Sequence, residues 1–345
     1  MIKLIIIGSG QVVSTTHLPN LMLLKDEVEV VGIVDTQLEK AKALASQYKI
    51  PKVSSDYKEL ISQIQPDAAL VTVPNRFHCQ TSIDLLEQGI HVFCEKSPAT
   101  NGNDALKMEQ ASLENDKLLT YGFHFRYSND AAYIQQLIQS GEFGKVYHLN
   151  IKWLRRRGIP GWGSFTKREI QGGGPLIDLG IHFLDLGMFF LGNAKPQVVL
   201  SSASDLIGRK GGHGFMGEWD GKEFSVEDGL FAFIRFENDI SIALSTSYAI
   251  NMEAENDKQV SIYGERMGAE LFPLKLFGES HSRQFITSFM SEESQELHLK
   301  CVRNFIRAVG GREPLLVTAH QGTQVQTLVD AIYESAETGK AITLV

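Results

Sequence analysis

The chain has 345 residues, 43% hydrophobic and 21% charged, the proportions of a soluble globular protein long enough for two domains. Its net charge of −8 argues against nucleic acid or an anionic membrane as a main partner. Cys79, Cys94 and Cys301 have neither a disulfide framework nor metal-ligand spacing. The apolar start is too short for a secretory signal, and no run approaches the roughly 18 apolar residues of a membrane span, so a cytoplasmic protein without a membrane partner is expected.

Residues 2–7 are apolar except for Lys3, the pattern of a strand buried on both faces. Gly8-Ser9-Gly10-Gln11-Val12-Val13 follows, and a second apolar run, 28–34, ends on Asp35. Strand, glycine turn, helix, strand and acid form the layout of a dinucleotide-binding βαβ unit. Gly8 permits the tight turn, and Gly10 lets backbone approach a pyrophosphate at the helix start. Gly8, Ser9, Gly10, Gln11, Val12 and Asp35 are therefore the candidate cofactor contacts in this unit. Asp35 would accept from ribose hydroxyls and repel a 2′-phosphate, and Thr36 and Gln37 bring no cation, so NAD is expected and NADP is less favoured. Val13 stands where glycine or alanine is usual, so the helix is expected slightly further from its strand.

Thr36 and Glu39 read as a capping box for a helix reaching about residue 48. Strands at 68–73, 90–94 and 118–123 alternate with helices at 79–88 and 104–115. This alternation implies a six-stranded parallel sheet covered on both faces, a Rossmann domain over residues 1–122.

The pattern then changes. A helix at 131–140 stops at Gly141, and Tyr147, Leu149, Ile151 and Trp153 share one face of a half-buried strand. A glycine-rich loop, 155–175, feeds a helix over 176–191. Strands at 198–203, 230–236, 240–248 and 260–263 follow, the middle two joined by a hairpin at Glu237-Asn238-Asp239. Helices at 298–309 and 322–337 close the chain, with Gly339 as C-cap. Residues 123–345 thus read as an α+β domain with an open, mostly antiparallel sheet, for substrate binding and oligomerisation. Its C-terminal helices are expected to return to the first domain. No repeat or disordered linker is visible, so a shared interface is expected to hold the small-molecule site.

Several residues could carry chemistry. Lys96 leaves the end of a Rossmann strand, where it could stabilise charge on a substrate oxygen or lie on the surface paired with Glu95. Asp178 and His182 are spaced i, i+4 on a helix, and Asp185 lies a turn further on the same side. They could form a proton-carrying pair, a helix-start acid with a core histidine, or half a metal site without the remaining ligands. Arg155-Arg156-Arg157 reads as a solvated basic loop or as a contact to a ligand phosphate or carboxylate. Trp153 alternates with core residues and reads as packing; Trp162, in the loop, could offer a face to a sugar or the nicotinamide. Arg126 and Tyr127 fall at the domain junction and could line the pocket.

These residues resemble the glucose–fructose oxidoreductase / inositol dehydrogenase family along essentially the whole chain. The markers are Gly8-Ser9-Gly10, Pro74-Asn75 with His78, Glu95-Lys96, and Gly173-Gly174 with Asp178-Leu179-Gly180-Ile181-His182. Ser97 stands before Pro98, where the family has Glu-Lys-Pro. The resemblance implies an NAD(P)-dependent oxidoreductase acting on a secondary hydroxyl of a sugar or polyol, with Lys96, Asp178 and His182 as the catalytic group. It implies cofactor contacts at Val73, Pro74, Asn75, His78, Glu95 and Lys96, substrate contacts at Lys96, Asp178 and His182, and a homodimer or homotetramer; Arg126, Tyr127 and Trp162 join the expected substrate contacts by their place in the chain, and no metal is expected. Two other readings remain: an NAD-assisted glycosidase, and a ligand sensor of the same fold that has lost turnover.

Overall fold

Six short apolar strands build the first sheet of this computed structural model, which describes residues 1–192, 194–290 and 296–344. They are β1 (Ile2–Ile7), β2 (Val28–Val34), β3 (Lys52–Ser54), β4 (Ala68–Val71), β5 (His91–Cys94) and β6 (Leu119–Tyr121). All pair in parallel in the order β3-β2-β1-β4-β5-β6. β4 is buried along its whole length and β1 at every residue but Lys3, so both read as apolar runs without regular alternation. The strand order reverses between β1 and β4, and at such a switch point the loops beyond the strands' carboxyl ends leave a crevice. β3 is Lys52-Val53-Ser54, a single apolar residue between two polar ones, so no apolar run reveals it in the sequence.

The helix after β2 is Leu38–Tyr48, and the expected Thr36–Glu39 capping box does not form. Asp35 Oδ1 instead accepts the Gln37 N–H at 2.8 Å, which gives the loop another local hydrogen bond. Residues 124 and 125 mark the first division between two compact units, Met1–His124 with Gln295–Gln324 and Phe125–Ser294 with Val325–Val345. Within the first unit, Phe305 on the helix Leu297–Val309 packs edge-on against Phe93 of β5, and the Thr120 hydroxyl donates to the Val317 carbonyl at 2.8 Å.

The second unit is a nine-stranded sheet backed by one apolar helix. Its strands are β7 (Val146–Arg155), β8 (Pro196–Ser204), β11 (Gly229–Phe236), β12 (Ser241–Ser247), β13 (Asn256–Gly264), β14 (Met267–Leu271), β15 (Lys275–Ser280), β16 (Arg283–Ser288) and β17 (Ile342–Thr343). The order is β16-β15-β14-β13-β7-β12-β11-β8-β17, with β7 and β12 parallel and every other pair antiparallel. Two short strands, β9 (Gly212–Gly214) and β10 (Gly217–Trp219), form a separate hairpin. β15 and β16, at one end of the sheet, are half-buried or exposed at every residue but Leu276, so their sequences lack the alternation that marks the centre.

A wide, π-type turn, Leu176–Gly180, continues into the helix Ile181–Leu191 on the inner face. Leu149 and Ile151 of β7, Ile242 and Leu244 of β12, and Leu230 and Ile234 of β11 are buried. Close approach is built in: a Cβ on Gly187 would lie 2.8 Å from Ile151 Cδ1. The helical stretch Arg168–Leu191 does reach the length and apolarity of a membrane span, contrary to the composition reading. Most of it is buried inside the protein, which accounts for its apolarity as packing. Tyr147 also departs from expectation. It lies at a register shift between β7 and β13 and is exposed, so the expected single face begins only at Leu149.

Candidate active site

The glycine loop leaves β1 with Gly8 at φ +105, a backbone conformation that side chains rarely adopt. A Cβ there would also lie 2.6 Å from the Thr72 hydroxyl oxygen. Gly10 is exposed, and a Cβ there would meet nothing within 4 Å, so the backbone at this point is open to approach from outside. Gln11 and Val12 begin the helical turns, where the first N–H groups have no intrahelical acceptor. Val13 is fully buried, and residues Val13–His17 form a wide π-type turn before the helix Leu18–Leu23. Asp35 Oδ2 accepts from the Ser9 N–H at 2.7 Å and the Ser9 hydroxyl at 2.6 Å. Burial opposes ionisation of Asp35, but these bonds, the Gln37 N–H and the Lys40 charge together hold its carboxyl below the usual range. The residues fit a dinucleotide: anion-ready N–H groups, open space at Gly10, and an ionised acid with lone pairs left for ribose hydroxyls.

Lys96 stands just beyond β5, and its neighbours are held firmly. His78, buried on the helix His78–Glu87, places Nδ1 2.7 Å from the Ser97 carbonyl and Nε2 2.7 Å from the Val73 carbonyl. Burial lowers its pKa, against the pull of those two acceptors. One side chain thereby ties the Val73-Pro74-Asn75 loop to the bend after Lys96. The Lys96–Ser97 peptide is cis, and the Ser97 hydroxyl donates to the Ala99 carbonyl at 3.0 Å. Glu95 Oε1 lies 2.7 Å from Nε2 of buried His17, and Glu95 Oε2 accepts the Lys96 backbone N–H at 3.2 Å. Burial disfavours the Glu95 carboxylate, yet the His17 bond and the charges of His17, His298 and Lys96 outweigh it and bring its pKa to about 2. His124 and His298 stack at 4.0 Å in the same unit, and burial lowers His124 to about 3.

In the second unit Asp178 lies in the wide turn and His182 in the helix that follows. Tyr248, fully buried just past β12, donates its hydroxyl to Asp178 Oδ2 at 2.9 Å. The Asp178 turn is itself fastened: Glu227 accepts from the Gly174 N–H at 3.0 Å, the Leu176 N–H at 3.1 Å and the Tyr333 hydroxyl at 2.9 Å. Burial raises the Glu227 pKa, against those three donors. His182 is 6% exposed, edge-on to Phe125 at 5.5 Å and 6.2 Å from Trp153. Trp153 stacks on Phe183 at 5.0 Å and donates to Asn256 at 3.1 Å, the packing role its alternation implied.

One expectation needs correction here. Asp185 does not act as a free charge beside His182, because Arg126 grips it through Nε at 2.8 Å and Nη2 at 2.6 Å, with both side chains buried. Tyr127 ends the turn His124–Tyr127 and is half-buried; Trp162 is 44% exposed in its loop. Tyr248, Glu227, Tyr333 and His17 were missed. Each lies far along the chain from the residue it holds, so no local spacing marks it.

Among the described residues no group of three or more His, Cys, Asp or Glu could hold a metal ion. A parallel sheet with an acid-tipped glycine loop, joined to an open sheet that carries a buried acid–histidine helix, is the build of a nicotinamide-dependent oxidoreductase. Residues 2–123 match the GFO_IDH_MocA oxidoreductase family's NAD-binding Rossmann fold, and residues 135–344 match its C-terminal alpha/beta domain. The chain belongs to that family. It is 36% identical to a D-glucoside 3-dehydrogenase of Escherichia coli strain K12, over 99% of this chain and 97% of the relative. It is 23% identical to a myo-inositol 2-dehydrogenase of Thermotoga maritima, over 98% of this chain and 97% of the other. A solved levoglucosan dehydrogenase, in complex with NADH and L-sorbose, shares the fold with a TM-score of 0.88 at 18% identity, over 100% of this chain and 99% of that one.

Proposed function

We propose that this protein is a cytoplasmic NAD-dependent dehydrogenase that oxidises a ring hydroxyl of a glucoside or related sugar to a ketone. The observation that carries the reading is the helix bearing Asp178 and His182, its acid fixed by Tyr248, in a chain whose other unit carries the cofactor loop and Lys96. The full-length likeness to a D-glucoside 3-dehydrogenase supports the substrate class. NAD, when bound along Gly8–Val12, Asp35, Val73–Asn75 and Glu95, supplies a hydride acceptor at its nicotinamide. His182 takes the hydroxyl proton as the carbinol C–H gives up its hydride. Lys96 hydrogen-bonds the same oxygen and stabilises its alkoxide character, while Asp178 orients the substrate. The products are ketone, NADH and one proton.

The chain further acts as a homo-oligomer. Leu244, Thr246 and Tyr248 are buried, so the outer face of the open sheet carries their alternates together with Leu200, Phe231 and Phe233, 52%, 44% and 51% exposed. Large apolar residues clustered on one sheet face suit a second copy of the chain. The deciding assay incubates the protein with NAD and a panel of glucosides, free sugars and polyols and follows NADH absorbance. Appearance of NADH with a glucoside is the expected result; aglycone release without NADH would favour a glycosidase.

A further inference from the structure

Arg155 is the last residue of β7, and Tyr248 follows the last residue of β12. These two strands run parallel, with Leu154 beside Ser247, so both deliver their next side chains to the same edge of the sheet. The Gly158 N–H closes that edge on the Tyr248 carbonyl at 2.7 Å. Period-two alternation puts Arg155 on the side of buried Ile151 and half-buried Trp153, and its guanidinium lies 5.6 Å from the Trp153 ring. The three arginines of the basic run therefore separate. Arg156 bonds the Glu253 carbonyl, and Arg157 bonds the Arg156 and Ile250 carbonyls and Asn251.

The Arg155 side chain has only two acceptors among the described residues, the Gly158 carbonyl at 3.4 Å and the Met216 thioether at 2.9 Å, both on Nη1. Its Nε and Nη2 donors bond to nothing described. Burial lowers its pKa, while the Asp178 charge pulls the other way, so the acid on the catalytic helix is its electrostatic neighbour, yet no ion pair joins them. Arg155 is half-buried, so its unused donors still face accessible space, where a ligand's hydroxyl can satisfy them.

We propose that Arg155 is a specificity-determining residue: with Asp178 it receives two adjacent hydroxyls of a neutral sugar ring, one accepting from Arg155 and its neighbour donating to Asp178. This rests on the reading of the site as a sugar dehydrogenase. A hydroxyl both donates and accepts, so a vicinal diol satisfies a donor fork and a carboxylate together. An anionic ligand would meet Arg155 favourably and Asp178 unfavourably, and a cationic one the reverse.

The test compares wild type, Arg155→Met and Arg155→Lys with NAD and methyl glucopyranoside, and with its monodeoxy derivatives at each ring position. Arg155→Met is expected to lose about 10- to 100-fold in kcat/KM on the parent glycoside, mostly through KM. One deoxy derivative should be poorer than the parent by a similar factor with wild type, while Arg155→Met treats the two alike. Arg155→Lys, which keeps the charge but loses the fork, should fall between. NAD affinity equal to wild type in both variants shows that they fold, and if Arg155→Met does not, Arg155→Lys decides by the same comparison. Unchanged KM, or the same discrimination among deoxy derivatives in wild type and variants, overturns the proposal alone. Absence of NADH with every sugar in wild type overturns the dehydrogenase reading and this proposal with it.

Discussion

Tyr248 donates a 2.9 Å hydrogen bond to Asp178 across 70 residues of chain, from a ring that solvent does not reach. Burial and the neighbouring carboxylate both push the tyrosine's pKa well above its ordinary value, so the hydroxyl stays protonated and donating through the whole working range. One oxygen of Asp178 is thus held in place. Tyr248→Phe removes this one donor from the carboxylate at little change of shape. A hydrogen bond to a charged group contributes about 1.5–3 kcal/mol, so kcat/KM should fall on the order of 10- to 100-fold. The NAD dissociation constant should not move, and a change there would point to a structural role.

Cofactor choice follows from Asp35. Its carboxylate is ionised and fixed by Ser9, and a 2′-phosphate would add like charge beside it, which Lys40 offsets only in part. At about 1.4 kcal/mol per tenfold, one such conflict should favour NAD over NADP by roughly tenfold or more. Dissociation constants by fluorescence titration check this, and Asp35→Ala should narrow the difference. Equal or tighter NADP binding refutes the assignment.

Lys96→Met should lower kcat on the order of 10² to 10⁴ while NAD binding is largely kept, the loss typical of a proton-managing or oxyanion-stabilising group. Steady-state rates with a glucoside give the answer. A variant within about threefold of wild type would return Lys96 to the surface role that its spacing alone also allowed.

Glu95 ties stability to acid. Its pKa is about 2 in the folded protein against the ordinary 4.5, a depressed carboxyl. Its contribution is therefore complete above about pH 4.5 and is lost as the pH falls toward 2, worth on the order of 3 kcal/mol. Glu95→Gln should unfold at lower urea concentration at neutral pH. Between pH 4.5 and 3 its midpoint should also decline less steeply than that of wild type. Parallel declines would show that the His17–Glu95 bond contributes nothing.

Phe231→Ser combined with Phe233→Ser should dissociate the oligomer without unfolding the second unit, because both side chains are about half exposed and replaceable by polar ones. Light scattering at micromolar concentration distinguishes the cases. A wild type that is already monomeric contradicts the assembly.

The sequence by itself determined five of the six strands of the first sheet and the places where chemistry could sit. A strand buried on both faces must be apolar throughout, a tight turn needs Gly8, and Asp35 follows β2 directly, so local order reveals each of these. The same holds for the hairpin at Glu237–Asp239 and for the 176–191 helix, whose residues are apolar almost all round, the mark of a buried helix. Only the tertiary structure decided what each polar side chain is bonded to. Asp185 looked like a partner for His182, yet it closes on Arg126, because a buried carboxylate beside a buried guanidinium is better satisfied by that pair than left facing a histidine. Arg155 looked like one of three solvated arginines until the parallel pairing of β7 with β12 separated it from Arg156 and Arg157. Glu227 and Tyr248 act on the Asp178 turn from 50 or more residues away. Hydrogen bonds that cross such separations exist only once strands and helix are packed, and no spacing in the chain encodes them.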